Sequence, residues 1–218
     1  NPIVRTPRDT SKIMLDVIIA LVPALGVGAY MFGMNVAILL VVNVAACVVF
    51  EWAYRKLMKK NTSVGDLSAV VTGVLITCVM PSAAPWWVGL IGSFFAIIVV
   101  KQLYGGIGKN FVNPALAARA FLFSWAGQMS TWAAAGTSPA VLNPVDAVTA
   151  ATPLSYLSNG DLAGLWEAFE SPTRLFIGTI GGSLGETSAM CLLLGFLYLL
   201  GRKVISWHIP VCYVGTVA

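Results

Sequence analysis

Two sets of residues in this sequence are equipped for chemistry. The first is the run Asp146-Ala147-Val148-Thr149-Ala150-Ala151-Thr152-Pro153-Leu154, a polar, turn-prone island in an otherwise apolar chain. A threonine hydroxyl is a poor nucleophile at neutral pH, so covalent chemistry at Thr152 requires a separate transferase and an accessible acceptor. The local sequence suits one: Ala150 and Ala151 remove bulk, Pro153 restrains the backbone just after the hydroxyl, and Asp146 can help recruit a metal-dependent enzyme. Taken alone, the same run is an ordinary turn. The second set is Asp16, Asp66, Arg119 and Glu186, ionisable groups within or beside apolar stretches. Arg119 in particular would cost about 2.5–3.5 kcal/mol at the centre of a membrane span unless it snorkels, pairs or lines a polar cavity. A carboxylate such as Asp16 or Glu186 would serve as its partner, and so would an anionic ligand or a neighbouring subunit.

The elements that must position these groups are membrane helices. Of the 218 residues, 58% are hydrophobic and 10% charged, whereas a soluble domain carries about 25% charge; the mean hydropathy is +0.84. Apolar stretches recur from Ile13 to the end, which argues against a single secretory signal and for a multi-pass protein. Runs bounded by charge or turn residues give spans at about 13–33, 35–53, 66–81, 86–100, 114–128 and 175–200, with another opening near 204. The expected fold is therefore all-α, a polytopic transmembrane helical bundle. It divides into an N-terminal bundle over 1–127, an outer-facing loop over 128–174 and the start of a second bundle over 175–218.

The net charge of +4 does not mark a nucleic-acid partner, because the thirteen basic residues sit in short clusters between spans. A cytoplasmic N-terminus puts Arg5, Arg8, Lys12, Arg55, Lys56, Lys59, Lys60, Lys101, Lys109, Arg202 and Lys203 inside and only Arg174 outside. The 128–174 segment then lies on the outer face of the bilayer, with Asp146, Asp161, Glu167 and Glu170 adding negative charge. Its Gly136, Pro139, Pro144, Pro153 and Pro172 argue against one long helix. Trp132, Tyr156 and Trp166 are placed to shield a planar ring or to anchor the loop at the interface.

Gly65-Asp66-Leu67-Ser68-Ala69 and Gly185-Glu186-Thr187-Ser188-Ala189 both read G-[DE]-x-S-A, and each opens an apolar run. With alternating topology the two helices run in opposite senses, as in an inverted repeat. Each run is roughly 15 residues, below the ~20 that a span requires, so short or broken helices are expected here. Asp66 and Glu186 are then N-terminal helix charges or, on a functional reading shared with Asp16, part of an ion pathway. Gly178, Gly181, Gly182 and Gly185 permit either close helix packing or the close approach of a planar ligand. Cys47, Cys78, Cys191 and Cys212 are isolated in apolar surroundings and read as buried fillers; with the lone His208 they provide no metal site.

Six ordered motifs carry a family resemblance. They are Ser11-Lys12-Ile13-Met14-Leu15-Asp16-Val17, Gly65 to Gly73, Val100-Lys101-Gln102-Leu103-Tyr104-Gly105-Gly106, Asn113 to Phe121, Asp146 to Thr152, and Gly181 to Ala189. By these the chain resembles the NqrB/RnfD family of membrane flavoproteins, on the side of the RnfD component of Rnf electron-transport complexes. The NqrB component of Na⁺-translocating NADH:quinone reductases is the alternative within the family. The resemblance implies FMN joined to Thr152 through a phosphoester, with Asp146, Thr149, Ala151, Pro153, Arg119, Gly182 and Glu186 as residues around the flavin. It allows a noncovalent riboflavin as a second flavin. The acceptor has Thr149 and Ala150 where the commonest form of the motif has Ser and Gly, which leaves Thr152 in register.

The implied function is electron relay within an ion-translocating ferredoxin:NAD⁺ oxidoreductase of the bacterial inner membrane, with redox chemistry coupled to Na⁺ or H⁺ movement. The implied partners are an outer-facing FMN subunit, iron–sulfur membrane subunits, cytoplasmic subunits that handle ferredoxin and NAD, an FMN transferase for maturation, and the lipid bilayer. No catalytic residue is assigned to the chain alone, and it has no nucleotide-binding glycine fingerprint between a strand and a helix. Members of the family continue through further spans beyond the apolar run that reaches Ala218, so a C-terminal part of the flavin pocket is expected there. A channel or secondary transporter without a redox role shares the broken helices and intramembrane charges, but it has no use for a modified Thr152.

Overall fold

The computed structural model describes residues 9–60, 64–133, 152–169, 171–178 and 180–217. Those residues are helical with no strand among them, as the composition requires: backbone polar groups inside a bilayer must be satisfied within the segment. Helices α1 (Thr10–Phe32) and α2 (Met34–Leu57) are each long and apolar enough to cross a membrane. A single residue separates them, Gly33 at φ +77°, a backbone setting that glycine adopts without penalty. Its N–H closes α1 on the Ala29 carbonyl.

Beyond α2 the helices shorten. Helix α3 (Ser68–Val79) has 12 residues, about 18 Å at 1.5 Å per residue against a hydrocarbon core of about 30 Å. It is a half-length helix. Helix α4 (Trp86–Phe94) continues into a π-helical stretch over Phe95–Gln102, and α5 (Pro114–Leu122) follows a loop. The start of α5 is fixed by its sequence: Pro114 stands at the first turn, and the Asn113 side chain accepts hydrogen bonds from the N–H groups of Ala115 (2.9 Å) and Leu116 (3.4 Å). A short 3₁₀ turn and α6 (Ala126–Met129) complete this part.

The described part of the expected 128–174 loop from Thr152 on holds short helices, α7 (Pro153–Ser158), α8 (Leu162–Phe169) and α9 (Pro172–Ile177), the last running on into the start of the expected 175–200 span. The span expected over 175–200 is not continuous. It breaks between Gly178 and Ser188, and a second half-length helix, α10 (Ala189–Gly201), starts there. The cause is local: Gly178 sits at φ +101°, and the Ser188 side chain accepts from the Cys191 N–H (3.4 Å), setting a fresh helix start. Helix α11 (His208–Val217) ends the described chain, with the His208 ring stacked on Trp207 at 4.0 Å.

The core lies where α2, α3, α4 and α5 meet, around Phe32, Leu39, Ile76, Met80, Val88, Ile97 and Leu122. Small residues set the crossings. A Cβ on Gly73 would stand 2.7 Å from the Val44 Cα and 2.9 Å from the Asn43 carbonyl oxygen. Gly73→Ala must therefore part α3 from α2, and we expect it to destabilise the fold by about 1–3 kcal/mol, measured by thermal inactivation in detergent. Helix α10 packs along α1, with Gly195 against the Ala20 carbonyl. Cys47, Cys78 and Cys191 are buried as expected, whereas Cys212 is exposed on α11. The outward faces of α1 and α10 carry Val22, Leu193, Leu194 and Leu197, side chains suited to a lipid or protein surface.

Candidate functional site

Thr152 occupies the N-cap position of α7, with extended backbone (φ −79°, ψ 153°) and Pro153 as the first helical residue. Threonine at such a position usually turns its hydroxyl onto the helix N–H groups. Here it does not: the Thr152 side chain makes no capping hydrogen bond. Its carbonyl does the local work instead, accepting from the Ser155 N–H (2.9 Å) and hydroxyl (2.7 Å). The backbone of Thr152 is thus held while its half-buried side chain is left uncommitted by the helix. Helix α7 rests on α8 through an edge-on contact of Tyr156 with Phe169 (5.9 Å), and α8 and α9 lead on to α10. Asp146, Thr149 and Ala151, with the rest of the expected acceptor loop, lie outside the described residues.

The break before α10 forms the second feature. Pro81, just beyond α3, pairs with Ser183 in an isolated antiparallel bridge. The Leu184 N–H donates to the Met80 carbonyl (3.1 Å), and the Gly185 N–H to the Cys78 carbonyl (2.8 Å). The carbonyl end of one half-length helix is therefore capped by the segment leading into the other, which satisfies groups that would otherwise be orphaned at membrane depth. Gly185 is obligatory, because a Cβ there would lie 2.5 Å from the Cys78 Cβ; at Gly178 it would lie 2.3 Å from the Thr187 carbonyl oxygen. Close packing accounts for both. Gly182 differs, since a Cβ would meet only the Thr187 Cγ2 at 3.8 Å.

Glu186 and Arg119, named separately from sequence, come together: Arg119 Nη1 lies 3.4 Å from Glu186 Oε1, and the guanidinium also lies over the Phe123 ring. The side chains are 23% and 58% exposed, so the pair contributes no more than about 1 kcal/mol. Glu186→Gln is accordingly expected to leave thermal inactivation of the protein within about 1 kcal/mol of the parent. Asp66 accepts from the Ser68 N–H (2.8 Å) and from the Ser68 hydroxyl, marking the start of α3 after Leu67 turns through φ +61°. Asp16 is buried on α1, where it accepts from the Tyr198 hydroxyl (3.1 Å) and from Arg202 Nε (3.2 Å), tying α10 to α1.

Sequence reasoning misses one cluster. Lys101, expected among the inward-facing surface charges, is buried, with 3% side-chain exposure. Its ammonium donates to Glu51 Oε2 (2.7 Å) and to the Ser68 hydroxyl (2.6 Å), which in turn donates to Asp66. Glu51 is fully inaccessible and has Arg55 Nε at 3.7 Å from its other oxygen. The π-helical stretch and α3 thus meet α2 on a chain of charges running inward from Asp66. The available signal is the spacing on α2, where Asn35, Leu39, Asn43, Cys47 and Glu51 recur every fourth residue and are all buried.

Known proteins match this chain along its whole length. The family model described as the NQR2, RnfD, RnfE family matches residues 1–218. The D component of the Na⁺-translocating ferredoxin:NAD⁺ oxidoreductase complex of Acetobacterium woodii is 47% identical over 221 residues, covering 100% of this chain and 66% of that protein. The D component of the proton-translocating ferredoxin:NAD⁺ oxidoreductase complex of Clostridium ljungdahlii is 40% identical over 222 residues, with the same coverage. The D component of an ion-translocating oxidoreductase complex from Rhodobacter capsulatus is 37% identical over 237 residues, covering 99% of this chain and 66% of that protein. The chain spans about two thirds of the length of these relatives. With a match over its whole length and identity at this level, the chain belongs to the NQR2, RnfD, RnfE family.

Proposed function

We propose that this chain is the D-type membrane component of an ion-translocating ferredoxin:NAD⁺ oxidoreductase, carrying FMN on Thr152 and relaying electrons while the complex moves Na⁺ or H⁺. Family membership supports the assembly. For the flavin, the supporting observation is Thr152 itself: a threonine at a helix N-cap whose hydroxyl the helix does not use, on a backbone fixed through Ser155 and Pro153. That is what an acceptor for enzymatic phosphoester formation needs, a hydroxyl in a defined place that attachment does not unfold. Bound there, FMN supplies the redox chemistry. The chain's own residues supply position and electrostatics: α7 and α8 present the acceptor, and Arg119 stands as a partly exposed cation near the helix break.

Two half-length helices meeting at α10 are also what a secondary carrier would show, so the redox assignment rests on Thr152 and not on the helix break. The relatives' names include one Na⁺-translocating and one proton-translocating complex, and the ion is open in this reading. The test is ferredoxin-dependent NAD⁺ reduction in inverted membrane vesicles, followed together with uptake of radioactive sodium or of protons. Vesicles lacking only this chain should lose reduction and uptake together. If both persist at the parental rate, the chain is not part of the relay.

A further inference from the structure

At the crossing of the two half-length helices, two buried hydroxyls have no hydrogen-bond partner among the described residues: Ser82 Oγ and Thr187 Oγ1. Ser82 is 0% exposed and Thr187 2%. Unsatisfied hydroxyls are costly in a low-dielectric interior and call for a ligand. The Pro81–Ser183 bridge fixes their relation. In its antiparallel register Ser82 stands opposite Gly182, and Gly182 borders Thr187, whose Cγ2 lies 3.8 Å from where a Gly182 Cβ would be. One atom-sized space without a side chain therefore lies between the two orphan oxygens. It is far too small for an isoalloxazine ring.

The neighbouring groups favour positive charge. Ser82 sits just past the C-terminal end of α3, the negative end of its dipole, where Met80 and Cys78 present their carbonyls. The Ser82 carbonyl is itself held by the Asn35 side-chain amide from α2, which fixes the loop. Glu186 precedes Thr187 directly. Hydroxyl oxygens at a broken-helix carbonyl end form a donor set for a dehydrated alkali cation.

We propose that Ser82 Oγ and Thr187 Oγ1, on either side of the side-chain-free Gly182, form a monovalent cation site of the Na⁺ class at the junction of α3 and the segment entering α10. The proposal deepens the ion-translocation reading and rests on it for purpose, but its test does not depend on the flavin. Gly182→Ala is the sharpest variant, because its methyl fills the space at ordinary contact distance and should not disturb the backbone. Thr187→Val removes one oxygen at nearly constant shape.

The experiment uses the whole purified complex, titrated with NaCl against choline chloride at constant ionic strength. It reads turnover and thermal stability, with flavin content checked by in-gel fluorescence. Both variants should raise the half-saturating Na⁺ concentration about tenfold or more, as expected for losing an oxygen contact to a charge, and should lose Na⁺-dependent stabilisation while keeping their flavin. Unchanged Na⁺ response in both variants overturns the site, leaving the hydroxyls to ordered water. A parental complex indifferent to Na⁺ overturns it as well. Loss of flavin in Gly182→Ala assigns the space to the flavin instead. If turnover survives loss of flavin from Thr152, the relay reading fails while the Na⁺ titration still decides this one.

Discussion

Thr152→Ala is expected to abolish covalent flavin in this chain and to reduce electron transfer through the complex to background, while the complex still assembles in the membrane. The separation of effects follows from the local geometry. Replacing a working threonine N-cap by alanine costs about 1 kcal/mol, but the Thr152 hydroxyl makes no cap, and the turn is held by Ser155 against the Thr152 carbonyl. Alanine keeps that carbonyl and the extended backbone before Pro153. Stability should thus change by less than a lost cap would cost, and any collapse of turnover is chemical in origin. Assembly is read by co-purification of the subunits and activity by ferredoxin-dependent NAD⁺ reduction. Parental turnover in a correctly assembled Thr152→Ala complex would remove the relay from this chain.

Lys101→Met should produce the largest loss of stability among single substitutions at the basic end of the bundle. The parent holds the Lys101 ammonium between Glu51 and Ser68 with essentially no solvent access. Removing one member of a buried pair leaves the other charge without its main compensation, at a cost of about 3–5 kcal/mol. Arg55, at 3.7 Å from Glu51 and itself 15% exposed, offsets part of that cost. The double variant Lys101→Met, Glu51→Gln carries no isolated buried carboxylate and should recover most of the loss, because contacting residues are strongly non-additive. Thermal inactivation of the four combinations measures the coupling. Additive losses would mean that the two side chains do not act as a pair.

Much of the helical architecture is legible in the sequence because a membrane imposes strong rules. Long apolar runs mark α1 and α2, and the repeated G-[DE]-x-S-A motif marks both half-length helices, with Ser68 opening α3 and Ser188 capping α10. The motif at 185–189 announces a short or broken helix inside the 175–200 span, yet the irregular path from Gly178 to Ser188 is not visible, because apolar content alone does not distinguish a buried irregular segment from a helix. What betrays it is three-dimensional: the carbonyls of Cys78 and Met80 accept from the break, and Gly178 and Gly185 leave no room for side chains.

The charges are harder to read. Arg119 needs a partner on energetic grounds, and Glu186 supplies it, but no spacing in the chain specifies a contact between residues 67 positions apart. Lys101 looks like a surface charge because hydropathy windows see only its position at the end of an apolar run. The π-helical stretch and the every-fourth-residue stripe on α2 bring it inward to Glu51. Asp16 shows the converse: an intramembrane carboxylate that looks like an ion ligand in sequence is engaged by Tyr198 and Arg202 in holding α10 against α1.

The most direct test of the central claim is ultraviolet fluorescence of this chain on a denaturing gel, followed by mass analysis of the peptide spanning Val141 to Leu157, from cells that contain the FMN transferase. The expected result is a fluorescent band that survives denaturation and an FMN-sized mass increment localised to Thr152. A non-fluorescent band with a fully unmodified peptide would contradict the claim and leave the chain as a carrier-like component without a flavin of its own.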